Sequence, residues 1–406
     1  MEGSSASMPL EQQQERGQEN EDTPAVQMPL CPPKLSIHPP LLNTACPWAT
    51  TEADLAALLS CTATGAVTTR TSLLGGFAHD DAAHRFVLFD PATTITTTTT
   101  TAAAARRGDS VAAAAAAAVD DDGCGDDARQ AEERPAAVGS VNSLGYSPVT
   151  LDGYLAILAR LSGSLPAHTH RKTVIVSVTG DPPSVARCHE RILLSAASSA
   201  IRFPLAMEVN LSCPNIPSAP PPAYSPPQLA SFLAALSAPA ATATAAAAAG
   251  TDTALQTRVP VGIKLPPLTY DTQFADLVHA LRPFGRTLSF VTATNTLGSC
   301  LVFEDGGGRN ASESDKDGNG AMLRGGMAGA PLHPLALGNV STLRRLFDES
   351  DELRHLDIIG VGGVIDGDGY RRMKRAGAAV VGLATGLGSR GVAVFDAIER
   401  DINSQW

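Results

Sequence analysis

Aromatic residues are scarce in this 406-residue chain, and its cysteines and histidines follow no metal-binding pattern. Only 4% of the residues are aromatic although 44% are hydrophobic, so a core must be built mainly from Ala, Val, Leu and Ile. The seven cysteines include no CxxC pair, and the nine histidines include no HExxH motif. These absences argue against a disulfide framework and a zinc site, and we predict no metal.

Long apolar runs and an excess of positive charge are also missing. No run of 18 apolar residues occurs, and the first residues are acidic and rich in glutamine, unlike a secretory signal. The formal net charge of −11 argues against a protein that binds nucleic acid by neutralising phosphates. We therefore expect a cytoplasmic protein with neither a membrane nor a nucleic acid as its partner.

Several segments have the composition of flexible chain rather than of a packed core. Nearly all of the negative charge lies in two acidic runs, residues 1–30 and 120–134. We predict that residues 1–28 are a disordered tail and that residues 29–406 form a single domain. Because added loop length costs little entropy, we predict low-complexity insertions in surface loops at about 92–138, 235–253 and 305–320.

Between these segments, short apolar or β-branched runs alternate with amphipathic stretches. Eight runs have the composition of buried strands, at residues 41–45, 66–69, 173–178, 206–211, 259–265, 288–293, 357–361 and 379–383. Helices are predicted at 51–60, 183–200 and 273–281, with Thr50 or Thr51 capping the first. Eight strand–helix units predict an α/β fold, a closed (β/α)8 TIM barrel, and the alternative is an open doubly wound sheet.

Polar residues follow the predicted strands, where the catalytic groups of such barrels lie. The fourth strand ends in Asn210-Leu-Ser-Cys-Pro-Asn215, and strand alternation places Asn210 and Ser212 on one face. The thiol of Cys213 is thereby held between two amides that can hydrogen-bond an imide or amide substrate. A lone cysteine is most often a small buried hydrophobe, but the flanking asparagines favour a functional site.

The later strands also end in residues suited to ligand binding. Lys264 lies near the end of the apolar fifth strand, where it must reach solvent or pair with an anion. The sixth strand ends in Thr294-Asn-Thr-Leu-Gly298, and residues 142–148 have the composition of a turn. The seventh and eighth strands end in Gly360-Val-Gly-Gly363 and Gly382-Leu-Ala-Thr-Gly386, and glycine-rich ends at this place in a barrel are typical of phosphate sites.

These motifs resemble those of the class 1 dihydroorotate dehydrogenases, soluble flavin enzymes of pyrimidine biosynthesis, and most closely the fumarate-using branch. The resemblance covers about residues 34–402 outside the insertions. Its most specific motif is Asn210–Asn215, with Cys213 where the membrane-bound branch has a serine. The supporting motifs are Asn142-Ser-Leu-Gly145, Lys264-Leu-Pro-Pro267, Asn295-Thr-Leu-Gly298, Gly325-Gly-Met-Ala-Gly329 followed by His333-Pro334, and Gly362-Gly363.

The resemblance implies an FMN at the C-terminal mouth of the barrel. Cys213 would be the general base, and Lys264 would stabilise negative charge on the reduced flavin. Dihydroorotate or orotate would contact Arg70, Asn142, Leu144, Gly145, Asn210, Asn215, Asn295 and Thr296. FMN would contact Ala45, Cys46, Arg70, Thr71, Asn142, Asn210, Lys264, Asn295, Gly325, Gly326, Gly362, Gly363, Ala384 and Thr385.

The sequence departs from the family pattern at three positions. Arg70 stands where the family has a lysine, and its guanidinium can bind a carboxylate bidentately but is bulkier. Cys46 stands where the family has a turn formed by a small residue and a glycine, so its Cβ is expected to crowd the flavin. Ala384 replaces a glycine near the phosphate. These changes bear more on the identity of the substrate than on the fold or the flavin.

Three functions remain open on the sequence alone. The first is oxidation of (S)-dihydroorotate to orotate in UMP synthesis by hydride transfer to FMN, with fumarate as acceptor and a homodimer implied by the family. The second is a related FMN-dependent reductase of another pyrimidine or an enone, and the third is a catalytically silent flavoprotein. NAD and an iron–sulfur relay are disfavoured because the chain has neither a dinucleotide fingerprint nor a cysteine cluster.

Overall fold

A closed barrel of parallel strands and a second, antiparallel sheet make up the computed structural model of the chain. The structure describes residues 32–93, 96–101, 138–216, 220–248, 258–304 and 321–406. The predicted tail at 1–28, the predicted insertion at 305–320 and most of the one at 92–138 lie outside these residues. No helix among the described residues is both long enough and apolar enough to cross a membrane.

Thirteen strands are present in the described residues. In chain order they are β1 (Leu41–Asn43), β2 (Ala66–Thr68), β3 (Arg85–Phe89), β4 (Thr96–Thr101), β5 (Gly139–Asn142), β6 (Thr173–Val178), β7 (Leu205–Asn210), β8 (Val261–Leu265), β9 (Phe290–Ala293), β10 (Leu297–Glu304), β11 (Ala321–Gly329), β12 (Asp357–Val361) and β13 (Val380–Leu383).

Eight of these strands form the barrel, in the order β1–β13–β12–β9–β8–β7–β6–β2. All neighbours are parallel, and pairing of Leu42 with Ala66 closes β1 onto β2. The eight strands coincide with the eight predicted runs, with bounds that differ by up to two residues. The predicted (β/α)8 barrel is therefore confirmed, and the open doubly wound sheet is excluded because the first and last strands of the order pair with each other.

Helices connect the barrel strands and cover their outer face. They are α1 (Glu52–Ser60), α2 (Leu151–Ser164), α3 (Pro182–Ala197), α4 (Pro226–Ala248), α5 (Asp271–Leu281), α6 (His333–Asp348), α7 (Gly367–Arg375), α8 (Thr385–Arg390) and α9 (Ala393–Asp401). Of the two predicted caps, Thr51 begins α1: its hydroxyl accepts from the Asp54 N–H at 3.1 Å, and the Asp54 carboxylate accepts from the Thr51 N–H at 2.9 Å. This reciprocal capping box satisfies two N–H groups that a helix start leaves without partners.

Strand alternation divides the barrel residues between the helix layer and the barrel interior. Val261, Ile263 and Leu265 of β8 belong to the main core that includes the helices. A second apolar cluster includes Ala206 of β7 and Phe290 of β9, and it fills the interior near the starts of the strands. Two positions further along β6, β7 and β9 the interior residues are polar: Ser177, Glu208 and Thr292.

The second sheet was not predicted from the sequence. Its strands are antiparallel, in the order β10–β11–β5–β3–β4. Asn142 lies at its centre, paired with Phe86 on one side and Gly326 on the other. Residues 142–148 therefore begin as the end of a strand and continue as a loop, rather than being a turn throughout.

The described ends of two predicted insertions have regular secondary structure. The threonine run Thr96–Thr101 pairs with β3 as an edge strand, which is consistent with the preference of β-branched residues for extended backbone. The segment predicted as a loop from residue 235 continues α4 as far as Ala248. Alanine has the highest helix propensity, so an alanine-rich composition extends this helix instead of ending it.

We expect Gly262→Ala to lower the free energy of unfolding by about 1–3 kcal/mol, because overpacking a filled core costs that much. A Cβ at Gly262 would lie directly against the Phe290 ring inside the barrel. Urea unfolding measures the change, and the same substitution should cost less in a Phe290→Leu background. The control is Gly338→Ala, at an exposed position in α6 with open space around it, which should stabilise the protein slightly. Equal effects of the two alanines would contradict this account of the interior.

Candidate active site

Two adjoining cavities lie at the C-terminal mouth of the barrel. The first, with about 600 Å³ of empty space, is lined mainly by residues after β1, β9, β12 and β13. The second, with about 760 Å³, lies between the ends of β7 and β8 and the second sheet. The two cavities share Ala45, Lys264, Asn295, Thr296, Ala328, Ala384 and Thr385, and therefore form one cleft.

Asn210, at the end of β7, is fixed by hydrogen bonds on both sides of its amide. Its Nδ2 donates to Thr71 Oγ1 at 3.1 Å, and its Oδ1 accepts from Ser212 Oγ at 2.9 Å. The direct bond confirms that Asn210 and Ser212 share a face. Asn295, from the end of β9, donates through Nδ2 to Ser212 Oγ at 2.9 Å. Two amides from different strand ends are thereby oriented together in the wall of the second cavity.

Asn215 ties the loop after β7 to the second sheet. Its Nδ2 donates to Asn142 Oδ1 at 3.0 Å and to the Leu144 carbonyl at 2.9 Å. An amide has two N–H donors, so these two bonds use both, and the Asn215 carbonyl oxygen is the part that can accept from a ligand. Asn142 in turn donates to the Gly326 carbonyl at 3.2 Å. The loop that carries Cys213 is therefore anchored to β5 and to the loop that follows β5.

The cleft carries two cations and no carboxylate among its described lining residues. Lys264 is 3% exposed, and its Nζ donates to Thr44 Oγ1 at 3.2 Å. Arg70 is 8% exposed, and one guanidinium nitrogen donates to the Gly145 carbonyl at 3.2 Å. Two buried cations raise the electrostatic potential of the cleft, which therefore suits an anionic ligand.

Cys213 lines the second cavity, and several groups act on its thiol. Burial raises the pKa of Cys213 above its ordinary value. The Asn215 backbone N–H, the Lys264 charge, the Tyr146 hydroxyl and the Arg70 charge oppose this effect because each stabilises the thiolate. The thiol is therefore a weak acid whose ionised form has several stabilising neighbours.

The first cavity contains a glycine cradle that fits a phosphate. Gly362 and Gly363 have φ values of +140° and +70°, which L side chains rarely adopt. A Cβ at Gly363 would lie 2.6 Å from His333 Cβ and 2.7 Å from the Gly329 carbonyl oxygen. Both glycines line the first cavity, where the absence of a side chain lets backbone N–H groups approach a ligand. The cradle at one end and the amides and Lys264 at the other fit the phosphate and the polar ring of FMN.

The structure brings together nearly all of the residues predicted for the site. The second cavity is lined by the predicted catalytic and substrate residues Cys213, Lys264, Arg70, Asn142, Leu144, Gly145, Asn210, Asn215, Asn295 and Thr296. One or both cavities are lined by the predicted cofactor residues Ala45, Cys46, Arg70, Thr71, Asn142, Asn210, Lys264, Asn295, Gly362, Gly363, Ala384 and Thr385.

Gly325 and Gly326 line neither cavity. A Cβ at Gly325 would meet the Asn142 backbone, and one at Gly326 would meet the Thr296 side chain. These two glycines therefore let β11 approach β5 and the loop after β9. Their place in the structure is one of support, since the Gly326 carbonyl orients Asn142.

Sequence reasoning missed the aromatic wall of the second cavity. Trp48 and Phe86 are in edge-to-face contact, with ring centroids 5.3 Å apart. Tyr146 also lines this cavity, and its ring packs against Phe77 with centroids 5.8 Å apart. The chain has only five tyrosines, and one of them inside the Asn142–Pro148 motif was a usable signal.

Comparison with known proteins agrees with this geometry. A family model described as dihydroorotate dehydrogenase matches residues 94–405. A Streptococcus pneumoniae protein named dihydroorotate dehydrogenase A (fumarate) is 30% identical over 286 residues, which are 68% of this chain and 78% of that protein. A Streptococcus uberis protein with the same activity in its name is 28% identical over 272 residues, which are 66% of this chain and 73% of that protein.

We expect Gly363→Ala to lose flavin while remaining folded, because its Cβ would distort the cradle of the first cavity. The matched control is Gly391→Ala: Gly391 also has a positive φ, of +65°, but has no neighbouring atom near its Cβ position and lines neither cavity. Flavin absorbance per chain, with circular dichroism as the test of folding, measures the outcome. Equal flavin content in the two folded variants would show that the phosphate is not bound at Gly363.

Proposed function

The chain belongs to the dihydroorotate dehydrogenase family, and on that premise we propose that it oxidises (S)-dihydroorotate to orotate with FMN as its cofactor. This activity is a step of pyrimidine biosynthesis. The relatives from S. pneumoniae and S. uberis carry fumarate in their names, which supports fumarate as the electron acceptor. The observation that carries the proposal is that Cys213, Lys264 and the asparagines of three segments line one cavity beside a glycine cradle.

The oxidation converts a C–C single bond into a double bond by removing one hydrogen as a proton and one as a hydride. FMN, when bound, supplies the hydride acceptor, and fumarate takes up the electron pair in turn. The protein has to remove the proton, hold the substrate in one orientation and stabilise negative charge. The described lining of the cleft provides a group for each of these tasks.

Substrate orientation is assigned to the asparagines and the cations. The ring amides of dihydroorotate need both donors and acceptors, and the Asn215 carbonyl oxygen can accept from a ring N–H. Arg70 can bind the substrate carboxylate through two parallel N–H groups. Lys264 lies in the part of the lining that the two cavities share, so it is placed to stabilise negative charge on either ligand.

Cys213 is assigned as the general base, and it acts as the thiolate. Burial raises the pKa of Cys213, so the thiolate is a minor form at neutral pH. The rate of proton removal should therefore increase as the pH rises towards the pKa of Cys213 and level off above it. Lys264 and Arg70 keep this pKa from rising further, because each favours the negative form.

We expect Cys213→Ser to slow flavin reduction by dihydroorotate by about 10²–10⁴-fold, the usual loss when a general base is removed. A hydroxyl is a far weaker acid than a thiol, so the rise of rate with pH should disappear or move well upward. Stopped-flow loss of flavin absorbance at several pH values measures both effects. Cys300→Ser is the matched control, since Cys300 is partly exposed on β10 and lines neither cavity. An unchanged rate and pH profile in Cys213→Ser would show that the proton goes elsewhere.

Anaerobic addition of dihydroorotate to the purified yellow protein tests the activity itself. Bleaching of the flavin, reversed by fumarate, is the expected result. A flavin that stays oxidised with dihydroorotate but bleaches with another dihydropyrimidine would favour a related reductase. A flavin that bleaches with neither would favour a catalytically silent flavoprotein.

A homodimer in the cytoplasm is the assembly and location we propose, on the family resemblance. The paired strands β10 and β11 carry exposed apolar side chains that a partner subunit could cover. Leu301, Phe303 and Met322 are 40%, 54% and 51% exposed. Leu301 and Phe303 alternate along β10, and Met322 pairs with Phe303, so all three lie on one face.

Phe303→Asp is expected to convert the dimer into a monomer if this face is the interface, because a charge cannot be buried there without a partner. Sedimentation velocity measures the molecular mass, and Leu194→Asp, at a similarly exposed leucine on α3, is the control. A wild-type monomer would contradict the homodimer, and a Phe303→Asp dimer would place the interface elsewhere.

A further inference from the structure

His333, the first residue of α6, is in contact with both glycines of the cradle in the first cavity. Its Nδ1 lies 2.7 Å from the Gly362 carbonyl oxygen. Its Cβ is the atom nearest to the place of a Cβ at Gly363, at 2.6 Å. Both glycines line the first cavity, whereas His333 lines neither cavity. His333 can therefore act on a ligand through the cradle, and not by touching the ligand itself.

The tautomer of His333 is determined by a second neighbour, Arg372 of α7. The Arg372 Nε–H donates to His333 Nε2 at 3.1 Å. An arginine side chain has donors and no acceptor, so His333 Nε2 is the unprotonated nitrogen of a neutral imidazole. The ring proton therefore lies on Nδ1, which donates it to the Gly362 carbonyl. The two hydrogen bonds, at opposite nitrogens of one ring, join α6, α7 and the cradle between β12 and α7.

The surroundings of His333 favour this neutral form. Burial lowers the pKa of His333 below its ordinary value of 6.5, and the Arg372 charge lowers it further. The Gly362 carbonyl and the Asp366 carboxylate oppose these two effects because each favours the imidazolium. The net shift of the pKa is downward, so the imidazole is neutral at pH 7 and above.

The Gly362 carbonyl and the Gly363 N–H belong to the same peptide unit. This peptide is trans, so its carbonyl and its N–H point in opposite directions. Because the carbonyl is directed at His333, the N–H is directed away from His333. The Gly363 N–H has no hydrogen-bond partner among the residues that the structure describes. It is therefore a donor available to a ligand in the cavity that Gly363 lines.

We propose that His333 is a positioning residue for the phosphate of FMN: with its tautomer fixed by Arg372, it holds the Gly362–Gly363 peptide so that the Gly363 N–H faces the phosphate. This rests on the proposed placement of the phosphate at the glycine cradle. A backbone N–H that donates to an anionic oxygen makes a strong hydrogen bond. Two adjacent glycines have great backbone freedom, so without His333 part of the binding free energy would be lost in ordering them.

The test is the affinity of the full-length chain, stripped of flavin, for FMN and for riboflavin, which has no phosphate. Titration followed by flavin fluorescence gives both dissociation constants, and circular dichroism checks the fold. In His333→Ala the FMN dissociation constant should rise about tenfold, the size expected for one lost hydrogen bond, while the riboflavin constant stays unchanged. A variant that merely loosened the fold would bind both flavins more weakly.

The matched control is His355→Ala. It also removes an imidazole that is bonded to a backbone carbonyl, that of Leu288 at 3.1 Å, but His355 lines neither cavity. Both dissociation constants should stay at their wild-type values in this variant.

Two further substitutions test the hydrogen bonds themselves. His333→Asn places an amide N–H where Nδ1 stands, so it should recover most of the FMN affinity that His333→Ala loses. Arg372→Ala leaves the ring to adopt either tautomer, so FMN affinity should fall by less than in His333→Ala. Added to His333→Ala, Arg372→Ala should have no further effect, because Arg372 acts through His333. A further loss in the double variant would contradict this action through His333.

An unchanged FMN dissociation constant in folded His333→Ala, or equal weakening of FMN and riboflavin, would overturn the proposal. If Gly363→Ala loses flavin while His333→Ala keeps its FMN affinity, the phosphate site stands and the role of His333 is wrong. If neither variant changes FMN binding, the placement of the phosphate is wrong as well. These titrations need no dihydroorotate, so a wild-type flavin that dihydroorotate fails to bleach would contradict the proposed activity alone.

Discussion

A ladder of buried hydrogen bonds inside the barrel is the interaction on which the site depends. It starts at Glu208, which is 1% exposed and accepts from Ser177 at 3.0 Å and from Thr292 at 2.6 Å. The Ser177 hydroxyl lies 3.0 Å from that of Thr71, which accepts from Asn210 at 3.1 Å. A polar group buried without partners is costly, so each member fixes the orientation of the next. Asn210 is therefore oriented by the barrel itself before any ligand binds.

The second sheet completes what the barrel begins. The barrel supplies Lys264 and Asn210 from its strand ends, whereas the sheet supplies Asn142 and the loop that carries Tyr146. The Asn142–Asn215 hydrogen bond joins these two halves across the second cavity. Because Cys213, the proposed base, lies on the loop that this bond anchors, its distance from the barrel cations depends on the packing of both sheets. A change in the antiparallel sheet would thus reach the chemistry through Asn142 and Asn215.

The sequence was sufficient to predict the barrel and the polar residues at its strand ends, but not to predict the second sheet. Buried parallel strands are short β-branched runs that differ from their surroundings, so their positions can be inferred locally. The second sheet includes a threonine run, which pairs with the neighbouring β3 in spite of its low-complexity composition. Its β11 contains the glycines of Gly325–Gly329, which pair with β5 from a distant part of the chain. Asn142 and Asn215 are 73 residues apart, so their hydrogen bond could not be inferred from spacing. Tyr146 carried a signal in its motif, but its place in the cavity wall depends on packing against Phe77, which lies far from it in the chain.

Two cysteines line the second cavity, and their surroundings differ in ways that favour Cys213 over Cys46 as the proposed base. Burial raises the pKa of Cys46 to about 12, with the Trp48 backbone N–H and the charges of Lys264 and Arg70 opposing it. The same two cations act on Cys213, so the cations cannot distinguish the two thiols. What differs is the burial and the remaining charge: Cys213 is only partly buried, whereas Cys46 is 5% exposed and the Asp54 carboxylate raises the pKa of Cys46 further. Cys46 therefore stays a neutral thiol at physiological pH, so its side chain adds bulk to the wall of the cavity without adding a group that can take up a proton.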